Sequence, residues 1–140
     1  MSLPDCLVAE WPAPAHVRTL VSTRGGDTTA PLGFNISHTV ADDPARVAAN
    51  RGALQQAMGV EAIQWLTQVH GDRVLEVTTA MAEPPEVDAL YTRTPGLALA
   101  VLTADCLPVL LCNRDGTEIA AAHAGWRGLA AGILLSLIHI

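Results

Sequence analysis

The sequence contains no lysine, and all eight of its basic residues are arginines. Enzymes that form a Schiff base with a carbonyl substrate need a lysine amine for that step. The phosphate-binding P-loop also has a lysine in its consensus sequence. Both classes of site are therefore excluded for this chain.

Charge is scarce, and positive charge is scarcer than negative. Charged residues make up 16% of the chain, and the formal net charge at pH 7 is -6. The arginines are scattered singly, so they form no run that could neutralise a phosphate backbone. We therefore expect no nucleic-acid partner.

Cysteine and long apolar runs are also in short supply. The three cysteines are irregularly spaced, which does not suit a disulfide framework and is typical of a reducing compartment. The first residues include Asp5, Glu10 and several prolines, whereas a signal peptide has a basic segment followed by an apolar one. Apolar stretches such as residues 97–102 are too short to span a bilayer. These features predict a cytoplasmic protein with no membrane partner.

Half of the residues in the chain are apolar, which is enough to bury one core in 140 residues. We expect a single domain over residues 1–140. The C-terminal stretch 134–140 has no polar face, cap or charge, and we expect it to be a foreign tail on a truncated chain.

Local patterns predict helices and strands. Asp43 and Pro44 form a helix start, and an apolar face then predicts a helix from Pro44 to Met58 that ends at Gly59. A second helix is expected to begin near Arg127 or Gly128. Predicted strands cover residues 17–22, 63–69, 73–78, 87–92, 97–103, 108–113 and 118–124. A Gly71-Asp72 turn would join the second and third of these strands as a hairpin.

Three metal-binding side chains lie at or next to ends of predicted strands. They are His70, Cys106 and His123. A catalytic zinc takes three ligands of these types and leaves a fourth position open. Their spacing matches no short-range zinc pattern, and each also has a structural interpretation: a turn histidine, a small buried thiol and a core histidine.

Other polar residues are candidates for binding and proton transfer. Arg24 precedes Gly25-Gly26 and Arg127 precedes Gly128, where an oxyanion could approach the backbone while a guanidinium binds phosphate. Asp88 and Asp105 end apolar stretches, so either could orient a histidine ligand, carry a proton or cap a turn. Trp126 could stack on a base or fill the core.

Seven segments, taken in order, resemble the YfiH-like family, which has been described both as laccase-domain polyphenol oxidase and as purine nucleoside phosphorylase. The segments are TRGG (23–26), FN (34–35), DDPARVAANR (42–51), QWLTQVHGDRV (64–74), VDALYT (87–92), ALAVLTADCLPVLL (98–111) and the HAGWRG segment (123–128). The resemblance implies a layered α/β sandwich in which helices flank a central mixed sheet, incomplete at its C-terminus.

The resemblance also implies an activity and a set of site residues. It implies that His70, Cys106 and His123 bind zinc, and that the enzyme phosphorolyses adenosine, inosine and methylthioadenosine and deaminates adenosine. Nucleoside and phosphate would be its small-molecule partners, and we expect a monomer. The residues assigned to substrate and phosphate are Arg24, Asn35, Gln68 and Arg127. Those assigned to catalysis are Asp88, Asp105 and Arg127.

Three alternatives remain open. Two histidines and a cysteine could bind copper in a phenol oxidase, although no axial methionine lies near these motifs. Cys106 could instead be the nucleophile of an amidase that edits peptidoglycan precursors. The chain could also bind zinc without being an enzyme.

Overall fold

The computed structural model describes residues 3–25 and 31–138. The chain divides into two compact units, the first comprising Met1–Pro12 and Arg18–Val60 and the second Ala13–Val17 and Glu61–Ile140. Each unit is described below by itself, and the single domain over 1–140 stays a prediction. No helix within the described ranges is long and apolar enough to cross a membrane.

The first unit contains the predicted long helix. Helix α1 spans Pro44–Met58. The Asp43 carboxylate caps it by accepting a hydrogen bond from the Ala45 N–H at 3.0 Å, and Gly59 ends it in the left-handed conformation with φ 59°. The predicted bounds of this helix are therefore confirmed. The unit also contains an antiparallel pair of strands, β1 (Cys6–Leu7) and β2 (Val21–Ser22). Of the strand predicted over residues 17–22, only Val21–Ser22 is formed.

The second unit is built on a four-stranded mixed sheet. The strands of this unit are β3 (Ala62–Gln64), β4 (Val74–Glu76), β5 (Ala89–Thr92), β6 (Leu97–Leu99), β7 (Leu107–Cys112) and β8 (Ile119–Ala124). The order in the four-stranded sheet is β4-β5-β8-β7, in which β4 is parallel to β5 while β8 is antiparallel to both of its neighbours. A separate parallel pair joins β3 to β6.

Both faces of the four-stranded sheet are covered by apolar side chains. Along β5, Ala89 and Leu90 are both fully buried but belong to two different clusters, because successive side chains point to opposite faces. One cluster contains Leu90 with Leu97 of β6, and the other contains Ala89 with Ile133 of a C-terminal helix. The mixed α/β fold with helices against a mixed sheet is thus confirmed.

Two short helices follow the sheet. Helix α2 spans Trp126–Ala131, close to the predicted start, and helix α3 spans Ile133–Ile138. Leu137 of α3 is buried in the same cluster as Ala122 and Ala124 of β8. Leu134 and Leu137 therefore pack against the sheet, whereas Leu135 and Ile138 are exposed. Residues 139–140 lie outside the described ranges, and the foreign origin of this stretch stays a prediction.

The predicted hairpin between residues 63–69 and 73–78 is wrong. β3 ends at Gln64 and pairs in parallel with β6, whereas β4 starts at Val74 and pairs in parallel with β5. The Gly71-Asp72 turn signal does not join two strands, because the loop that contains it folds around the side chain of Asp88. Long-range pairing has overridden a local turn preference.

Candidate metal centre

His123 is the most deeply buried of the three candidate ligands. It is the penultimate residue of β8 and only 2% exposed. Its neighbours Ala122 and Ala124 point towards helix α3, so the alternation of the strand directs His123 to the opposite face. The His123 N–H also donates to the Asp88 carbonyl at 2.7 Å, which fixes the main chain at this point.

The Asp88 carboxylate determines which nitrogen of His123 carries a proton. His123 Nδ1 lies 2.9 Å from Asp88 Oδ1. Burial raises the pKa of Asp88, but hydrogen bonds from the Gly71 N–H, the His123 imidazole and the Val69 and His70 N–H groups offset this, so the pKa lies below its ordinary value. Because an ionised carboxylate can only accept, His123 donates from Nδ1 and leaves the Nε2 lone pair free to bind a metal.

His70 is held by the same carboxylate. The N–H groups of Val69, His70 and Gly71 donate to Asp88 oxygens at 3.2, 2.9 and 2.8 Å. His70 itself has φ 59°, a left-handed conformation that costs energy for a residue with a side chain. Three converging N–H groups compensate for that strain and aim the imidazole at His123, with the ring centroids 4.8 Å apart and the planes at 87°.

Cys106 reaches the site from the irregular segment just before β7. Its half-buried side chain packs against Gly125, since a Cβ added to Gly125 would lie 2.8 Å from Cys106 Sγ and 3.5 Å from His70 Cδ2. A residue larger than glycine would therefore displace the thiol. The glycine between β8 and α2 is what allows these groups to approach each other.

The three side chains converge closely enough to share one ion. One candidate ligand atom from each of His70, Cys106 and His123 lies within 4.8 Å of the other two. Ligands of a tetrahedral zinc would be roughly 3.5 Å apart, as follows from Zn–N and Zn–S bonds of about 2.1 and 2.3 Å. Shifts of about 1 Å would close the difference, so the donor set fits a small transition-metal ion.

Residues next to the ligands differ in exposure. Asp105 is exposed and precedes Cys106 in the chain. Trp126, which follows Gly125, is 76% exposed, so it does not fill the core, and the guanidinium carbon of Arg127 lies 5.3 Å from its ring centroid. An aromatic face and a cation are thus presented to solvent at the start of α2.

The remaining predicted binding residues already have hydrogen-bond partners. Gln68 binds the backbone of Leu102, a contact that the sequence did not predict. In the first unit, Arg24 donates to the Pro31 carbonyl at 2.7 Å, and Asn35 bonds to Ser37 and Asp42. Gly26, paired with Gly25 in the predicted anion site, lies outside the described residues. Substrate roles for Arg24, Asn35 and Gln68 stay predictions.

Comparison with known proteins identifies the family. A family model described as multi-copper polyphenol oxidoreductase laccase matches residues 18–140. The chain belongs to this family.

Relatives of this laccase-family chain include proteins with a different description. A purine nucleoside phosphorylase of Pseudomonas aeruginosa is 49% identical, the match covering 91% of this chain and 52% of the relative. Purine nucleoside phosphorylase YfiH of Escherichia coli is 47% identical, with 91% and 54% covered, which confirms the resemblance to YfiH. The chain thus spans about half the length of these curated relatives.

A solved structure has a similar fold. The crystal structure of a Neisseria meningitidis protein matches with a TM-score of 0.88 and 44% identity, over 96% of this chain and 56% of that protein. The layered α/β arrangement is therefore shared with an experimentally determined relative.

Proposed function

We propose that this chain carries the zinc centre of a purine nucleoside phosphorylase that acts on adenosine, inosine and methylthioadenosine and also deaminates adenosine. The observation that carries the proposal is the convergence of His70, Cys106 and His123 within 4.8 Å. The names of the relatives from Pseudomonas aeruginosa and Escherichia coli support phosphorolysis. Phosphate and a nucleoside are the proposed partners, and we propose that the protein acts as a monomer.

His70, Cys106 and His123 would hold the ion, with Asp88 orienting both histidines. When bound, zinc would supply Lewis acidity. Three protein ligands are typical of catalytic zinc sites, whereas structural zinc sites have four.

The exposed side chains around this centre suit the substrates. In phosphorolysis, a phosphate oxygen forms a bond to the anomeric carbon of the ribose while the glycosidic bond breaks and its electron pair goes to the purine. Either Arg127 or Arg24 would bind phosphate. The exposed face of Trp126 would stack on the base, because aromatic side chains stack on any purine.

Proton transfer completes both reactions. The departing purine takes up the proton that hydrogen phosphate gives up as its oxygen bonds to the ribose, and we assign the relay of this proton to Asp105, an exposed carboxyl group beside Cys106. In deamination, water adds at carbon six of adenine and ammonia leaves, which needs the same carrier. Asp88 is less suited to this task, since four hydrogen bonds converge on its buried carboxylate.

Cys106→Ser tests the proposal, with Cys112→Ser as the matched control. Cys112 is a half-buried residue of β7 that is not among the three converging ligands. We expect C106S to lose bound zinc and phosphate-dependent release of hypoxanthine from inosine, whereas C112S keeps both. Ammonia release from adenosine without phosphate measures the deaminase activity separately. Full phosphorolysis by C106S would refute the proposal.

Copper-dependent phenol oxidation is the second candidate, favoured by the description of the family. Two histidines and one thiolate can form a trigonal copper site. A multi-copper cluster needs many more imidazoles, and the chain has five histidines in all. Metal analysis of protein produced without added metal separates the candidates: copper with visible absorption favours oxidation, and colourless zinc protein favours phosphorolysis.

Rapid alkylation of Cys106 in the metal-loaded protein would instead favour the cysteine amidase.

A further inference from the structure

The side chain of Gln68 replaces main-chain pairing at the point where β3 and β6 separate. Among the described residues, the last bond between the main chains of these segments is from the Ala100 N–H to the Gln64 carbonyl at 3.0 Å. Beyond it, Gln68 Nε2 donates to the Leu102 carbonyl at 2.8 Å and Gln68 Oε1 accepts from the Leu102 N–H at 2.6 Å. One amide therefore binds both polar groups of a residue 34 positions away.

These two bonds join the segments that carry two of the ligands. Gln68 lies two residues before His70, and Leu102 lies four residues before Cys106. The residues between Leu102 and Cys106 are exposed and form neither helix nor strand. The thiol is thus held on one side by β7, which starts at Leu107, and on the other by the Gln68 amide.

Asp88 and Gln68 act on different ligands. The Asp88 carboxylate binds the His70 loop and the His123 imidazole, and within the described part of the chain none of its hydrogen bonds reaches the Cys106 segment. Metal sites require ligand distances within about 0.2 Å of their ordinary values. The position of the Cys106 thiol relative to the two histidines is therefore set by groups other than the Asp88 carboxylate.

We propose that Gln68 is a positioning residue of the metal centre, and that its amide sets where Cys106 lies relative to His70. This inference rests on the metal centre proposed above. It is separate from the predicted substrate role, because in it Gln68 acts through the backbone of Leu102.

Cobalt(II) titration of the full chain tests the proposal, because a thiolate bound to cobalt gives a charge-transfer absorption in the near ultraviolet that reports Cys106 directly. Gln68→Met keeps the length of the side chain and removes both hydrogen bonds. Gln56→Ala, on the exposed face of α1, is the control for loss of a glutamine. We expect Q68M to bind cobalt about tenfold to a hundredfold more weakly than wild type, with a weaker thiolate band, as for other groups that orient metal ligands. Q56A should match the wild type.

Gln68→Glu provides a second variant. It keeps an acceptor for the Leu102 N–H but replaces the donor to the Leu102 carbonyl by a second acceptor, so we expect it also to bind cobalt more weakly than wild type. Circular dichroism and melting curves of the metal-free proteins show whether each variant is folded, and a loss of cobalt affinity in a folded variant separates positioning from general destabilisation. If Q68M is unfolded, Q68E alone decides.

The outcomes distinguish this inference from the metal centre itself. If the folded Gln68 variants bind cobalt as tightly as wild type and show the same thiolate band, the positioning role is overturned and the metal centre stays intact. A wild-type spectrum without a thiolate band, or one unchanged by C106S, would overturn both.

Discussion

Replacing Asp88 by asparagine is expected to destabilise the second unit and to change the protonation of His123. The amide keeps the shape of the carboxylate, but one of its two ends becomes a donor. If that end takes the place of Oδ2, it faces the N–H groups of Val69 and Gly71. If it takes the place of Oδ1, it faces the His70 N–H and His123 Nδ1.

The second arrangement costs less, because His123 can move its proton to Nε2 and accept at Nδ1. One donor, the His70 N–H, is then left unpaired, which costs about 1–3 kcal/mol. The bonds from Val69 and Gly71 end on a neutral oxygen and lose about 1 kcal/mol each, since bonds to charged groups are stronger. The expected loss in the free energy of unfolding is therefore roughly 3–5 kcal/mol.

The same rearrangement protonates the Nε2 atom that would bind metal. We therefore expect D88N to bind zinc at least about tenfold more weakly than wild type even where it is folded. Urea unfolding in the presence of a chelator measures the stability, and imidazole nitrogen NMR reports the tautomer of His123.

Asp72→Asn is the matched control, because Asp72 is exposed in the same loop and its substitution should change stability by less than about 0.5 kcal/mol. A D88N protein within about 1 kcal/mol of wild type, with His123 still protonated at Nδ1, would refute the assignment of Asp88 as the group that holds both histidines.

Three further predictions concern single positions. Gly125→Ala should weaken metal binding, measured by zinc titration, because its Cβ would lie 2.8 Å from Cys106 Sγ; wild-type affinity would contradict the packing. Gly52→Ala should raise the free energy of unfolding by about 1 kcal/mol, because, apart from adjacent residues and the backbone of helix α1 itself, no atom of the described residues lies within 4 Å of the added Cβ. Asp42 has a pKa below its ordinary value because the Asn35 amide and then the Asp43 N–H and Arg46 bind its ionised form. Its contribution to stability is present above the unfolded pKa of about 4 and is lost as the pH falls through the lower folded value. Asp42→Asn should therefore reduce the loss of stability in acid, seen in melting curves against pH; an unchanged acid profile would contradict this.

The sequence predicted the features that depend on local chemistry. Asp43, Pro44 and Gly59 were sufficient to place helix α1, since a cap, a first-turn proline and a left-handed terminator act within a few residues. The convergence of His70, Cys106 and His123 followed from strand ends and from family resemblance, because their spacing alone matches no metal motif.

The sequence could not predict features that depend on long-range pairing. The parallel partner of β3 lies in residues 97–99, so the turn signal at Gly71 gave the wrong hairpin. The left-handed conformation of His70 is stabilised by a carboxylate 18 residues later, and residue type alone does not indicate it. The Gln68 amide likewise finds its partner only once β3 and β6 are aligned.

The arrangement around Asp88 has a consequence for transplanting this centre into another scaffold. If only the three ligand side chains were copied onto strands of another protein, His123 would lack the carboxylate that fixes its tautomer. His70 would lack the left-handed backbone conformation that orients its imidazole. The smallest portable unit is therefore the three ligands together with Asp88, the Val69–Gly71 loop, Gly125 and the proposed Gln68–Leu102 contact. A designed protein without this carboxylate would lose the orientation of two metal ligands at once.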